Sequence, residues 1–368
     1  MVLAHNAEGF YRPRRELMEA LKQEGHKVTV SVPKGTYFDK IASLADEVVD
    51  TPLERRGTNP IKDLRLLYFY HRLMKKLQPE CVLSYAIKPN LYGGMAAQKN
   101  HIPYMPNVTG LGTAFDKAGP IREFIVRMYR KIAKKAHCAF LQNSANQEAL
   151  EKFGIRWKKI VLLPGSGINL DDYRVCDYPN NDGKFRFLFI SRIMKDKGIH
   201  ELMDAARSLG ERFGNMEFHI LGYCETGYED KMAAWAKGKN IFYHGPQEDV
   251  RPFLAMCDCL VHPSYHEGMS NVCLEAAASA RPILASAIPG CRETFDDGVT
   301  GIGFVPRDAD SLRRAMERFM SIPYEERKAM GVRGRKKVER EFDRQIVINA
   351  YLEEIEKIKR RFRSDRFI

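Results

Sequence analysis

The residues with the clearest capacity for chemistry are two glutamates eight positions apart, Glu267 and Glu275. A carboxylate has two acceptor oxygens that match the paired hydroxyls of a sugar, so we predict that Glu275 binds a ribose and Glu267 a second sugar. Between them, Gly268 allows close backbone approach and Ser270 suits a helix N-cap. Glutamates at this spacing are most often surface charges, but a strand, a glycine loop and an alanine-rich helix here indicate a ligand site.

A second loop carries two cations, Arg192 and Lys197, after the apolar stretch 187–190 and before a predicted helix. Both side chains can converge on one anion above the start of that helix, where amide donors and the helix dipole favour negative charge. A diphosphate suits such a site. The alternative hypothesis, two solvated surface cations, is favoured for this loop in isolation because such short patterns are common.

The elements that must position these loops follow from the hydrophobic pattern. Short stretches rich in Val, Ile, Leu and Phe alternate with helical segments, which predicts parallel sheets covered on both faces. The pattern restarts after a segment rich in Pro, Asn and Gly, so we predict an α/β protein with two doubly wound, Rossmann-like domains facing a deep cleft, and C-terminal helices. The predicted boundaries are 1–166 for the first domain, 167–183 for the linker, 184–343 for the second domain and 344–368 for a helix that crosses back to the first.

The composition restricts the class of protein. A chain of 368 residues exceeds one ordinary core, and 44% hydrophobic and 29% charged residues are typical of a folded globular protein. The sequence has neither an apolar run of about 18 to 20 residues nor a signal-peptide core, so we predict a cytoplasmic protein. Its eight cysteines form no C-x-x-C pair and are predicted to be buried and reduced. The formal charge of +12 implies an anionic partner: nucleic acid, anionic lipid or a phosphorylated small molecule.

The glutamate pair lies in HEGMSNVCLEAAASARPILAS at 266–286, and with this E-x7-E pattern the chain resembles the retaining GT-B glycosyltransferases of family 4. Further matches are FISRIMKDKG at 189–198, PGSGINLDDY at 164–173 and IPGCRE at 288–293. In the first half, RRGTNP at 55–60, IKPN at 87–90 and NVTGLGTAF at 107–115 are similar to the capsule and surface-polysaccharide branch that extends undecaprenyl-diphosphate-linked sugars, including GalNAc and galacturonosyl transferases.

The resemblance implies transfer of a hexose from a nucleotide sugar, by family expectation a UDP-sugar, to a lipid-linked saccharide, without a cofactor. Arg192 and Lys197 would hold the diphosphate and Glu267 a sugar hydroxyl, so these three are the predicted catalytic residues. Predicted donor contacts are Glu275, Gly268, Met269, Ser270, Asn271, Ser191 and His244. Predicted acceptor-side contacts are Glu8, Gly9, Lys88, Asn90, Thr109 and Gly110. Because the nucleotide leaves on the face that the acceptor attacks, no protein nucleophile is implied, and cations and amides stabilise the departing charge.

Three features qualify this assignment. Many relatives have a histidine where this chain has Ile87, so no catalytic histidine is assigned there and Lys88 is the substitute polar contact. For His244, a structural role is at least as good a hypothesis as a contact with the nucleotide base. The first strand, 2–4, is short, which predicts either a truncated strand or an internal start.

A metal site is not predicted. Asp308 and Asp310 form the only D-x-D sequence, a spelling that metal-dependent transferases of another fold use to hold a cation. Here it precedes Ser311 and a helix, so favourable charge at a helix N-terminus is the better explanation. Arg192 and Lys197 already supply positive charge to a diphosphate.

Two basic, aromatic segments, 62–76 and 121–135, could lie on an anionic membrane surface, where each nearby cation contributes about 1 kcal/mol. An amphipathic helix that packs on the sheet and leaves its cations solvated is an equally good hypothesis. The basic tail 357–366 is predicted to be a frayed end to which anionic lipid is attracted. We therefore predict a peripheral protein at the inner face of the cell membrane.

Other functions compete with transfer. A sugar-nucleotide epimerase of the same architecture would consume the donor without an acceptor. A nucleic-acid-binding protein would explain the charge, but the sequence contains no recognised helix, finger or RNA-binding signature. A nicotinamide-dependent oxidoreductase is disfavoured because no G-x-G-x-x-G follows a strand; the nearest spelling is Gly110, Gly112 and Phe115.

Overall fold

The computed structural model describes residues 1–54, 59–110, 115 and 119–364. Parts of the motifs at 55–60 and 107–115 and the end of the basic tail lie outside the described residues. The chain divides into two compact units, Met1–Ser166 with Gln345–Ile368, and Gly167–Arg344.

The first unit contains a seven-stranded parallel sheet in the order β3-β2-β1-β4-β5-β6-β7. Its strands are β1 (Val2–Leu3), β2 (Thr29–Val32), β3 (Glu47–Asp50), β4 (Val82–Tyr85), β5 (Tyr104–Val108), β6 (Ala139–Leu141) and β7 (Ile160–Leu162). Its described helices are α1 (Ala7–Gln23), α2 (Phe38–Ala42), α3 (Pro60–Leu77), α4 (Gly94–Lys99), α5 (Pro120–Ala133) and α6 (Ser144–Lys152), with a π-helical turn at Pro89–Gly93. One apolar cluster packs α3, α4 and α5 against the sheet, and another packs α1 and the last helix of the chain.

The second unit contains a six-stranded parallel sheet in the order β10-β9-β8-β11-β12-β13. Its strands are β8 (Phe185–Ile190), β9 (Met216–Leu221), β10 (Ile241–Tyr243), β11 (Cys259–His262), β12 (Ile283–Ser286) and β13 (Gly301–Phe304). The helices that follow are α7 (Ile199–Gly210), α8 (Glu229–Trp235), α9 (Arg251–Met256), α10 (Asn271–Ala278), α11 (Ala309–Ser321), α12 (Tyr324–Glu341) and α13 (Arg344–Ser364). The prediction of an α/β protein with two doubly wound sheets is confirmed. In the second sheet the strand order reverses between the neighbouring strands β8 and β11, and ligands of such sheets bind at this switch point.

Strand β13 was not identified from the sequence. It reads Gly-Ile-Gly-Phe, and a Cβ on Gly301 would lie 2.4 Å from the carbonyl oxygen of Ile283 on the neighbouring strand. Glycine weakens a strand pattern in the sequence, yet this strand requires it because two backbones approach closely.

The segment predicted as a linker, 167–183, belongs to the second unit. Ile168 is buried and its N–H donates to the carbonyl oxygen of Phe342 at 2.8 Å. The fully buried guanidinium of Arg281 donates to the carbonyl oxygens of Cys176 and Asp177 at 3.2 and 2.5 Å. Polar contacts with main-chain oxygens order this segment, which explains why its sequence shows little apolar periodicity.

Helix α13 packs on the first unit. Tyr351 and Ile355 are buried in the cluster that covers one face of its sheet. Glu354, also buried, accepts from Lys159 Nζ at 2.6 Å and lies 3.2 Å from His137 Nε2. These contacts connect residues about 200 positions apart and attach the end of the chain to the first unit.

The structure bears on two further predictions. All eight cysteines are free thiols; five of them are buried, as predicted, whereas Cys81, Cys176 and Cys224 are half-buried. Among the helices of the described ranges, none combines the length and apolarity needed to cross a bilayer.

Candidate active site

The loop after β8 places the two predicted cations at the switch point of the second sheet. It runs from Ser191 into a 3-10 turn at Lys195–Lys197, and α7 begins directly after Gly198. Gly198 has a φ of 72°, and a Cβ there would lie 2.1 Å from the carbonyl oxygen of Pro263. A side chain is therefore excluded, and the loops that follow the adjacent strands β8 and β11 pack against each other.

Lys197 and Glu267 form an ion pair between these two loops. Lys197 Nζ donates to Glu267 Oε1 at 2.5 Å, and the side chains are only 17% and 16% exposed. His262, the last residue of β11, donates from Nε2 to the same oxygen at 3.0 Å. Burial opposes the charge on Glu267, but the hydrogen bond and charge of His262, with Lys197, lower its pKa to about 2. The site therefore holds an ionised carboxylate beside an ammonium group.

Arg192 lies in the same loop and has a different partner. Its guanidinium is 3.5 Å from the carboxylate of Glu225, in the loop after β9, and the two side chains are 32% and 27% exposed. Ser191 connects this loop to β9 through its main chain, because its N–H donates to the carbonyl oxygen of Leu221 at 3.0 Å. The structure brings Lys197 and Glu267 into direct contact and holds Arg192 on the same strand-end edge through Glu225.

Ser270 is the N-cap of α10, as predicted, and its Oγ accepts from the Cys273 N–H at 3.3 Å. Its own N–H donates to the carbonyl oxygen of Gly290 at 2.7 Å, so the IPGCRE segment supports this loop. The Ser270 amide is therefore used within the protein, and a contact of this residue with the donor stays a prediction. The Met269 side chain is buried in the core, whereas Asn271 is exposed at the start of the helix.

Glu275 lies half-buried on α10, and its partner is Tyr173. Burial, together with the charge of Glu275 and the hydrogen bond to it, raises the pKa of Tyr173. A neutral phenol that donates to a carboxylate fixes the orientation of that carboxylate. No role was predicted for Tyr173 beyond its place in the PGSGINLDDY match.

His244, at the end of β10, packs in an aromatic cluster. Its Nε2 lies 3.0 Å from Nδ1 of His219, and the two rings stack with centroids 5.3 Å apart. Phe253 covers it at 4.9 Å, and burial lowers the pKa of His244. These contacts give the side chain a structural role, and a contact with a nucleotide base stays a prediction.

In the first unit, the predicted acceptor-side residues follow three neighbouring strands. Glu8 and Gly9 follow β1, Lys88 follows β4, and Thr109 and Gly110 follow β5. Glu8 is exposed and 3.4 Å from Arg12, and the Gly9 N–H donates to the helix cap Asn6 at 2.7 Å.

Lys88 forms a half-buried ion pair that the sequence did not suggest. Its Nζ donates to Asp63 Oδ1, on α3, at 2.7 Å. The Tyr92 hydroxyl donates to the other oxygen of Asp63 at 3.0 Å.

Asn90 is the exception among these residues, because its side chain is 1% exposed and lies inside the first unit. Its Oδ1 accepts from Ser84 Oγ at 2.7 Å, and its Nδ2 donates to the Asn107 carbonyl oxygen at 2.9 Å and the Tyr129 hydroxyl at 3.3 Å. The predicted acceptor contact is therefore wrong. The π-helical turn that begins at Pro89 directs this polar side chain inwards, where the fold uses its hydrogen-bonding groups.

The D-x-D sequence acts as a helix start. Asp308 is the N-cap of α11 and accepts from the Ser311 N–H at 2.8 Å. Asp310, in the first turn, lies 3.1 Å from Arg313 on the same helix. Helix capping and charge at the N-terminus account for both carboxylates.

Comparison with known proteins assigns a family domain to each half of the chain. Residues 12–165 match the family described as "Glycosyl transferase 4-like domain", and residues 177–337 match "Glycosyl transferases group 1". The N,N'-diacetylbacillosaminyl-diphospho-undecaprenol alpha-1,3-N-acetylgalactosaminyltransferase of Campylobacter jejuni is 28% identical over 330 residues, which cover 84% of this chain and 86% of that protein. The capsular polysaccharide biosynthesis glycosyltransferase CapM of Staphylococcus aureus is 25% identical over 310 residues, 80% of each chain.

Solved structures show the same fold. The Anabaena protein HepE, crystallised with UDP and glucose, superposes with a TM-score of 0.76 at 16% identity, over 96% of this chain and 98% of that one. This likeness agrees with the two parallel sheets. The chain is a glycosyltransferase of the GT-B fold, with a glycosyltransferase 4-like domain followed by a group 1 glycosyltransferase domain.

Proposed function

We propose that this glycosyltransferase moves a hexose from a UDP-sugar, with retention of anomeric configuration, to a lipid-linked saccharide in the assembly of a surface polysaccharide. The observation that carries the proposal is the Lys197–Glu267 pair at the ends of the adjacent strands β8 and β11. A UDP complex of the related fold in HepE supports the choice of nucleotide. The diphospho-undecaprenol acceptor in the name of the C. jejuni relative supports the choice of acceptor.

The chemistry follows from the charges at the site. The acceptor oxygen forms a bond to the anomeric carbon while the bond from that carbon to the phosphate oxygen breaks, and the acceptor proton passes to the departing phosphate. Lys197 and Arg192 stabilise the negative charge that grows on the diphosphate. Glu267 and Glu275 accept hydroxyls of the transferred sugar and of the ribose, respectively.

We propose that this step needs no divalent cation, because Lys197 and Arg192 supply the positive charge next to the leaving group. Turnover in buffer without added Mg²⁺ or Mn²⁺ is expected to match turnover with either ion. A tenfold rise on adding Mg²⁺ would contradict the proposal.

A surface of the first unit suits a membrane-borne acceptor. The first turns of α3 and α5 expose large apolar side chains: Ile61, Leu64, Ile121 and Phe124, each more than half exposed. Helices that follow parallel strands begin at the carboxyl edge of the sheet, the same edge as Lys88 and Thr109. Exposed cations accompany them on both helices, at Lys62, Arg65, Arg127, Arg130 and Lys131. The opposite face of α5 packs on the core. This helix is therefore compatible both with packing on the sheet and with contact with an anionic membrane.

The direct test incubates the purified chain with a panel of UDP-sugars and an undecaprenyl-diphosphate-linked saccharide. We expect one donor to give an extended lipid-linked product whose new linkage has the donor's anomeric configuration, as measured by NMR. An inverted linkage would refute retention. Conversion of the donor in the absence of acceptor, at the rate seen with it, would favour the epimerase instead.

Membrane association is tested by co-sedimentation with vesicles. We expect binding to vesicles that contain phosphatidylglycerol, weaker binding to neutral vesicles, and a loss of several-fold in the double variant Leu64→Ser, Phe124→Ser. A matched control is Val175→Ser, an exposed apolar residue of the second unit. Equal sedimentation of both variants, or tighter binding to duplex DNA than to vesicles, would contradict the assignment of this surface.

A further inference from the structure

A cluster of soft metal ligands lies beneath the loop that carries Glu267. His262, Cys273 and Cys291 are all buried, with exposed fractions of 3%, 0% and 0%. One ligand atom from each lies within 4.8 Å of the other two. The residues come from three elements: the end of β11, the first turn of α10, and the segment after β12. No contact described for the donor site uses either thiol.

The hydrogen bonding of His262 points to a ligand. Its Nε2 donates to the carboxylate of Glu267 at 3.0 Å, so Nδ1 is the ring nitrogen that can give up its proton and bind a metal. Within the described ranges, Nδ1 is buried and has no hydrogen-bond partner. A histidine that binds a metal characteristically donates its other ring nitrogen to a carboxylate, which fixes the tautomer. Glu267 is in the position of the carboxylate that accepts this hydrogen bond.

We propose that His262 Nδ1, Cys273 Sγ and Cys291 Sγ form a site for a thiophilic divalent cation, Zn²⁺ in the first instance. Thiolate sulfur and imidazole nitrogen are the ligands that Zn²⁺ prefers, at about 2.3 and 2.0 Å, which puts tetrahedral ligand atoms roughly 3.5 to 3.8 Å apart. Two thiolates and a neutral imidazole balance the ion's charge, as a buried site requires. Three protein ligands leave the fourth tetrahedral position to a water molecule or a small anion.

The ion would tie together the elements that frame the donor loop. Cys273 lies in the helix that Ser270 caps, and Cys291 follows Gly290, whose carbonyl oxygen accepts from the Ser270 N–H at 2.7 Å. His262 connects the same ion to Glu267. This site is separate from the place where the donor diphosphate is proposed to bind. Its ligands are buried, whereas the diphosphate is assigned to the partly exposed cations Lys197 and Arg192.

The test measures metal binding without any assay of activity, so its failure is separate from failure of the proposed function. The full chain, freed of metal under reducing conditions, is titrated with Zn²⁺ and with Co²⁺. We expect one ion per chain, release of about two protons per Zn²⁺ from the two thiols, and a thiolate-to-cobalt charge-transfer band in the near ultraviolet. Binding well below one ion per chain, or a cobalt complex without that band, would overturn the site.

Two variants assign the ligands. Cys273→Ser and Cys291→Ser are each expected to weaken Zn²⁺ binding at least tenfold, whereas Cys224→Ser, outside the cluster, retains it. Unchanged binding in both cluster variants would refute the assignment. A disulfide between Cys273 and Cys291 in protein prepared without oxidant, seen as the loss of two titratable thiols, would also refute it. Should a variant fail to fold, the cobalt band and the proton count of the wild-type chain decide the question.

Discussion

Two polar clusters, one in each unit, serve opposite purposes. In the first, Asn90 is buried in a network with Ser84, Asn107 and Tyr129, and its side-chain groups bind other parts of the fold. In the second, Lys197 and Glu267 satisfy each other's charge while remaining partly exposed at a strand-end loop. A ligand can replace or share the partners of a partly exposed ion pair, whereas it has no access to a buried amide. Position within the fold, more than residue type, therefore separates binding residues from structural ones.

The largest effect is expected from Lys197→Ala. Removing a cation that stabilises developing charge on a leaving group typically lowers turnover by about 10² to 10³-fold. We expect that loss in kcat/KM for the nucleotide sugar, with Tm changed by only a few degrees. The neighbouring Lys195→Ala, at an exposed cation of the same loop, is the control and should leave kcat/KM within about twofold. Equal losses in both variants would mean that general surface charge, not this pair, matters.

Asn90→Ala should lower the stability of the protein, in contrast to Lys197→Ala, which lowers kcat/KM. The variant removes the buried hydrogen bonds of Asn90 with Ser84 Oγ and with the Asn107 carbonyl oxygen, so we expect the free energy of unfolding to fall by about 2 to 3 kcal/mol. Calorimetry would record this as a lower Tm for the transition of the first unit. Thr109→Ala, at an exposed position on the same sheet edge, should change stability by less than about 0.5 kcal/mol. An Asn90 variant with wild-type stability and lost acceptor binding would restore the role first predicted for it.

Tyr173→Phe tests whether Glu275 must be held in place. Loss of one hydrogen bond to a charged carboxylate corresponds to about 1.5 kcal/mol, or roughly tenfold, and we expect it as a higher KM for the donor with little change in kcat. Tyr178→Phe removes another buried hydroxyl contact of this unit, at 3.0 Å to the Asp258 carbonyl oxygen, and should leave KM unchanged. A similar KM shift in both would indicate a general loosening of the unit.

The smallest effect is expected at the N-cap of α10. Ser270→Ala should lower stability by about 1 kcal/mol, because the Cys273 N–H loses its acceptor. Ser270→Asp keeps a capping oxygen but adds negative charge beside the proposed diphosphate site, so stability should be retained while the donor binds more weakly. Thermal melts and donor titrations of the two variants separate these contributions. If Ser270→Ala and Ser270→Asp bound the donor equally well, the diphosphate would not lie beside the N-terminus of α10.

Much of the site was predictable because its signals are local. The alternation of strands and helices follows from the hydrophobic pattern, and the helix starts at Ser270 and Asp308 follow from a polar residue before a helical pattern. The strand-end loops that carry Lys197 and Glu267 follow from the same alternation of strands and helices. Each of these inferences depends on neighbours within a few positions along the chain.

The partners of those residues depended on the tertiary structure. Lys197 and Glu267 are 70 positions apart, and Tyr173 reaches Glu275 from the segment predicted as a linker. The inward direction of Asn90 likewise left no local pattern in the sequence. The sequence by itself determined the fold class and the loops that bear charge, because periodicity and capping are short-range effects. Which charges meet, and which polar groups are buried, was decided only when distant segments packed together, because hydrogen bonds and ion pairs require distances near 3 Å.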